Sequence, residues 1–103
     1  MTHSIDIRAC DLAIVQKLLR DILPKSARVW VFGSRAAWTT KRGSDLDLAI
    51  DIGRSLTSQE NTRLAEAFDE SDLPYKVDIV DMQTVSETFK KIIERNRVAL
   101  EFC

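Results

Sequence analysis

The chain has 103 residues, 45% hydrophobic and 30% charged, with a formal net charge of −1. That length supports one core and a single domain over residues 1–103, and the composition is ordinary for a globular protein. The balanced charge gives no electrostatic case for direct nucleic-acid binding, and Cys10, Cys103 and a lone His3 cannot build a zinc site.

Residues from about 9 to 23 set Leu12, Val15, Leu18, Leu19 and Ile22 at helical spacing, and Pro24 closes the segment. Arg28 to Phe32 is rich in β-branched and aromatic residues and reads as a strand. It is apolar on both faces, Val29 and Val31 against Trp30 and Phe32, which assigns it to the sheet interior and Trp30 to the core. Gly33-Ser34 turns the chain, Arg35 to Trp38 reads as a short helical piece, and Thr39 to Ser44 as a polar loop. Asp45 to Asp51 is the second strand, with Leu46, Leu48 and Ile50 on one side and Asp45, Asp47, Ala49 and Asp51 on the other.

After a loop over Gly53 to Leu56, Thr57 and Glu60 fit a capping box. The helix it opens runs to about Ser71 and should bury Leu64, Ala65 and Phe68 before Pro74 breaks it. Lys76 to Asp81 is a third strand with Asp78 embedded in it. A last helix, from about Thr84 or Ser86 to Arg95, is expected to bury Val85, Phe89, Ile92 and Ile93, and the tail Val98 to Phe102 is short and apolar. Arg63, Arg95 and Arg97 read as solvated surface. Alternating helices and strands predict a small α/β domain, a three-stranded mixed sheet packed with helices. With no apolar stretch near the ~20 residues of a membrane span and no signal-type N-terminus, the expectation is a cytoplasmic protein whose two cysteines are free thiols.

The chemistry concentrates in residues 29–51. Asp45 and Asp47, two apart on a strand, project from one face, and Asp78 adds a charge in another apolar strand. A single aspartate at a strand end is most simply a turn former. Three brought together without a counter-charge repel, and at least one pKa must rise. A hard divalent cation such as magnesium, which takes one or two carboxylates together with substrate phosphates, removes that cost. Gly33-Ser34 supplies the other half, since glycine permits close backbone approach and the following amides can cradle an anion. Arg35, Lys41 and Arg42 add positive charge suited to triphosphate oxygens or simply to solvent. Walker-type and Gly-x-Gly-x-x-Gly loops are missing from the sequence, and Ala49 occupies a position where a calcium loop needs an oxygen ligand.

Gly33-Ser34, ten residues, then Asp45-Leu46-Asp47 resembles the signature of the polymerase-beta-like nucleotidyltransferase superfamily. The short chain and the segment Val77-Asp78-Ile79-Val80-Asp81 resemble its minimal members, the MNT proteins, many of them antitoxins encoded beside HEPN-domain partners. The resemblance runs from the first helix to Ile93. It implies that Asp45, Asp47 and Asp78 hold two Mg²⁺ ions and carry catalysis, and that Gly33 and Ser34, with Arg35, Lys41 and Arg42 nearby, bind ATP or another nucleoside triphosphate. Asp81 rivals Asp78 as third acid, although regular strand parity turns it to the other face. The implied activity is transfer of AMP to a hydroxyl, a tyrosine of a HEPN RNase toxin, in a hetero-oligomer away from any membrane. Two alternatives stand beside it: a non-catalytic binding antitoxin, and the catalytic half of a two-subunit transferase acting on a small molecule. Trp38, beside the turn, reads as cover for the sheet edge, or else as a docking or base-stacking ring.

Overall fold

The computed structural model describes residues 5–41 and 44–102. Its elements are α1 (Ala9–Ile22), β1 (Arg28–Phe32), α2 (Ser34–Ala37), β2 (Leu46–Asp51), α3 (Ser58–Asp69), β3 (Val77–Asp81), α4 (Glu87–Asn96) and β4 (Val98–Ala99). The expected helices and strands are all present, with ends displaced by one or two residues. Thr57 accepts a hydrogen bond from the Glu60 amide at 3.1 Å while Glu60 accepts one from the Thr57 amide at 2.9 Å, which completes the capping box of α3. Ser86 caps α4 by accepting from the Phe89 amide at 3.2 Å.

The sheet has four strands in the order β3-β2-β1-β4, where three were expected. The apolar tail supplies the fourth: Val98 and Ala99 pair antiparallel with Val31 and Trp30, and the Leu100 amide donates to the Val29 carbonyl at 2.9 Å. β1 is therefore interior, flanked by β2 and β4, which is why both its faces are apolar. β2 pairs antiparallel with β1 and parallel with β3, the parallel link requiring the crossover through α3.

Strand alternation sorts the two faces. Val29, Val31, Leu46, Leu48 and Ile50 point to the face covered by α1 and α3, where Val15, Leu19, Leu64 and Phe68 complete the main core. On the opposite face Phe32, Ala49, Met82 and Ile93 form a smaller cluster, with Trp30, Val80 and Val85 packed against it. α4 is the helix that reaches this side, through Ile93. Three burial expectations fail for one reason, that a helix seated on a small sheet has few neighbours to cover its flanks. Ala65 of α3 is exposed, and on α4 Phe89 and Ile92 stay 38% and 51% exposed. Trp30 is half-buried, its ring roofed by the Arg97 guanidinium at 4.2 Å, so Arg97 is a packing group where a solvated one was expected. Cys10 is an exposed free thiol. Among the described residues no helix is long and apolar enough to cross a membrane.

Candidate active site

β1 delivers the chain to Gly33, which leaves the strand with φ 77° and ψ −155° and starts α2. Only glycine takes that left-handed φ without strain. Space imposes the same choice: a Cβ at residue 33 would collide with the Asp47 carboxylate oxygen. The turn and the acid are thus in van der Waals contact. The Ala36 and Ala37 amides donate to the Gly33 carbonyl at 3.1 and 3.0 Å, closing the single turn of α2 with Ser34 as its first residue.

Register brings the acids to the same place. Phe32 lies directly opposite Asp47, and Asp47 directly opposite Asp78. The end of β1, the start of β2 and the start of β3 therefore form one row, with Asp47 at its centre and its side chain on the α4 face. The Leu46 amide donates to the Lys76 carbonyl at 2.9 Å, pinning the entry of β2 against that of β3. Asp45 sits one residue before β2, two before Asp47. Burial, then the Asp78 carboxylate, then that of Asp45, push Asp47 up to about 6. The three acids are close enough to repel, although among the described residues no set of three Asp, Glu, His or Cys side chains is closed into a metal cage. Asp47 and Asp45 are half-buried and Asp78 is exposed, so the row opens to solvent on the β3 side.

The other strand acids have different employment. Asp81 pairs in register with Ile50, on the α1–α3 side, and accepts from the Leu56 amide at 2.7 Å and the Gln83 amide at 2.9 Å. Asp51 accepts from the Gly53 amide and the Gln83 side chain, both at 2.9 Å or less. Asp81 fastens the loop before α3 and is turned away from Asp78, as strand parity predicts.

The basic residues separate. Arg35, expected among the phosphate ligands, spends its guanidinium inside the fold. It donates to the Asp6 carbonyl at 2.8 Å and the Ser44 carbonyl at 2.9 Å, and lies 3.9 Å over the Tyr75 ring. Its role is to clamp the loop between α2 and the acids, since Ser44 immediately precedes Asp45. Lys41 is exposed in that loop, its amide donating to Ser44 Oγ at 2.8 Å. Arg42 lies outside the described residues. Trp38 ends α2 with φ 58° and is 55% exposed, so it does not cover the sheet edge as core.

Sequence reasoning missed the support beneath the clamp. Asp11, 2% exposed in the first turn of α1, accepts from Nε and Nη2 of Arg8 at 3.1 and 3.0 Å and from the Tyr75 hydroxyl at 3.1 Å. The Arg8 hydrogen bonds hold its carboxyl below the usual carboxylate range, against the opposing effect of burial. Burial and the Asp11 charge raise the Tyr75 phenol well above its ordinary value, so it stays a donor. In sequence Asp11 reads only as a favourable helix-dipole acid. Its Tyr75 partner is 64 residues away.

Comparison with known proteins agrees with this layout. Residues 11–101 match the polymerase beta nucleotidyltransferase family. Over 97 residues the chain is 44% identical to a protein of Haemophilus influenzae described as a probable protein adenylyltransferase MntA, covering 94% of this chain and 84% of the relative. It is 37% identical over 70 residues to the protein adenylyltransferase MntA of Shewanella oneidensis, covering 68% of this chain and 50% of that one. The fold superposes with a TM-score of 0.76 and 29% identity on a chain from a crystal structure of a toxin–antitoxin with AMP-PNP, covering 90% of this chain and 74% of that one. With its family-wide match and its glycine turn set against a row of strand acids, the chain belongs to the polymerase beta-type nucleotidyltransferases, beside the minimal members named MntA.

Proposed function

We propose that the chain transfers AMP from ATP to a tyrosine hydroxyl of a HEPN-domain RNase toxin and thereby acts as its antitoxin, with Mg²⁺ as cofactor. The observation that carries this reading is the crowding of Asp47: it touches Gly33 on one side and is repelled by Asp78 and Asp45 on the other. A carboxylate pushed up to about 6 by its neighbours marks a place where positive charge is wanted. The donor set suits magnesium, which uses few carboxylates and completes its shell with phosphate oxygens and water, so an open row of acids fits better than a closed cage. The similarity to protein adenylyltransferases supports AMP as the transferred group, and the AMP-PNP in the similar complex supports ATP as its source.

On this reading Asp45, Asp47 and Asp78 would be the residues that hold the two ions. When bound, the ions neutralise charge at the α-phosphate and at the leaving pyrophosphate and acidify the acceptor hydroxyl. The backbone at Gly33 and the Ser34 residue receive the phosphates. Asp78, exposed at the open side, takes the proton as the acceptor oxygen bonds to the α-phosphorus. The bond from that phosphorus to the α,β-bridging oxygen breaks, and pyrophosphate leaves with the electron pair. Orientation and charge placement supply most of the rate, since the protein forms no covalent bond.

The test is the intact mass of the HEPN-domain protein encoded beside the chain, incubated with ATP, Mg²⁺ and either wild type or the Asp45→Ala, Asp47→Ala double variant. Addition of AMP by the wild type alone is expected. Full neutralisation of the toxin by the double variant would instead favour a masking subunit.

A further inference from the structure

β3 is the end strand of the sheet, and a groove along it reaches the acid row. The groove holds about 540 Å³ between the last turns of α3 and the entry of β3, and Asp78 is one of the residues that line it. Its floor is apolar, with Phe68 and Leu73 continuing the main core and exposed Ala65 beside them. Its charged lining is acidic: Glu66 and Asp69 of α3 and Asp78 of β3, against Lys76. Among the described residues none of these four takes part in an ion pair. Two hydrogen bonds fix how the backbone of β3 is turned. The Lys76 carbonyl accepts from the Leu46 amide and the Met82 amide donates to the Ile50 carbonyl, both at 2.9 Å, so the even-numbered residues face β2. Backbone direction alternates along a strand of a parallel ladder, so Val77 and Ile79 direct N–H and C=O outward from the sheet. Such an edge is a template for another extended chain.

We propose that the protein acceptor enters as an extended basic segment that adds along the β3 edge, seats in this groove and sets its hydroxyl residue opposite Asp78. The inference rests on the protein-adenylyltransferase reading and deepens it by naming the local chemistry of the acceptor. An added strand lies about 4.8 Å from β3. Its residue opposite Asp78 projects from the same face as Asp78 and Asp47, with Cβ atoms about 5 Å from those of Asp78. The residues on either side of it project from the other face, which is the α3 side, where Glu66 and Asp69 line the groove. Lysine or arginine flanking the hydroxyl residue meets those carboxylates and lays its aliphatic stem over Phe68 and Leu73. Outward main-chain groups at Val77 call for a polypeptide, and three acids against one lysine call for a cationic one.

The experiment uses the full chain, the HEPN-domain protein encoded beside it, ATP and Mg²⁺. Hydrogen exchange at the Val77 amide should slow by roughly tenfold or more when the complex forms. The double variant Glu66→Lys, Asp69→Lys places basic residues at exposed positions near the C-terminal end of α3, where the helix dipole favours them. It should raise the apparent KM for the partner by roughly tenfold or more, keep kcat at saturating partner, and leave the thermal shift produced by ATP and Mg²⁺ unchanged. Ala65→Trp fills the groove without altering its charge and should raise KM in the same way. Wild-type KM in both variants overturns the groove. So does unaltered exchange at Val77 in the saturated complex, the result for an acceptor held on another surface. Should wild type bind the partner without transferring AMP, the catalytic reading fails, while Val77 exchange and the affinity of the double variant still decide the groove.

Discussion

At the scale of single residues, Gly33 and Asp47 are one device. The glycine is held at φ 77°, and the space its missing side chain leaves is filled by the Asp47 carboxylate. Gly33→Ala meets both obstacles at once, with a backbone cost of about 1–3 kcal/mol before any displacement of the acid. Denaturant unfolding should register that loss, and AMP transfer should fall with it. Asp47 itself has a sign that can be worked out. Its folded pKa of about 6 lies above the ordinary 3.8, so between those values the folded state binds more protons than the unfolded one. The contribution of Asp47 to stability therefore declines as pH rises from about 4 to about 6, and the deficit persists above that window. Asp47→Asn should remove the decline, raise the melting temperature at pH 7 without metal, and abolish transfer. Asp78 and Asp81 invite the converse comparison. Asp78→Ala should leave stability nearly unchanged and eliminate transfer, because Asp78 is an exposed member of the row. Asp81→Ala should destabilise, because it strips the acceptor from the Leu56 and Gln83 amides.

At the scale of elements, stability and site geometry meet in the segment from α2 to β2. Arg35 ties the Asp6 and Ser44 carbonyls and rests on Tyr75, which is itself fixed by Asp11 and through it by Arg8. The clamp joins four stretches of chain and sets where Asp45 enters. Arg35→Lys keeps the charge and loses the fork. It should cost about 1–3 kcal/mol in stability, and hydrogen exchange at the Asp45 and Leu46 amides should quicken relative to the centre of β2. What was legible in the sequence follows the range of each interaction. The capping box at Thr57 and Glu60, the turn at Gly33 and the shared face of Asp45 and Asp47 are local patterns, written in residues two to four apart. The pairing of Asp47 with Asp78 depends on strand register, which the alternation in β2 and β3 constrains strongly. The contacts of Arg35 are not legible, because nothing near it in sequence names Asp6 or Tyr75. Two-residue β4 carries no strand signal of its own, because its pairing exists only once β1 offers an edge. Phe89 and Ile92 keep the helical spacing of a core face, but spacing reports which residues share a flank, not whether anything covers it.

At the scale of the whole molecule, the two sides of the sheet are unequally invested. One side carries the continuous core with α1 and α3; the other carries a small cluster under α4 and leaves the acid row open. Mutual repulsion of carboxylates at that open end subtracts from stability, and a ligand that binds only the folded state returns it. Magnesium with ATP or a non-hydrolysable analogue should therefore raise the melting temperature. At a hundred times the dissociation constant the gain is about 2.7 kcal/mol, and for a domain of this size that is a rise of roughly 10 °C or more. Each component alone should do less: the cation lacks the phosphate oxygens that complete its shell, and the triphosphate brings negative charge to carboxylates. Asp45→Asn should keep the fold and shrink the joint shift, whereas Asp81→Asn should leave the joint shift intact from a lower starting temperature. Thermal scans across those variants, with and without both ligands, separate a site built for a metal–nucleotide complex from acids that merely border a turn. An equal shift in wild type and Asp45→Asn would assign the nucleotide to some other surface.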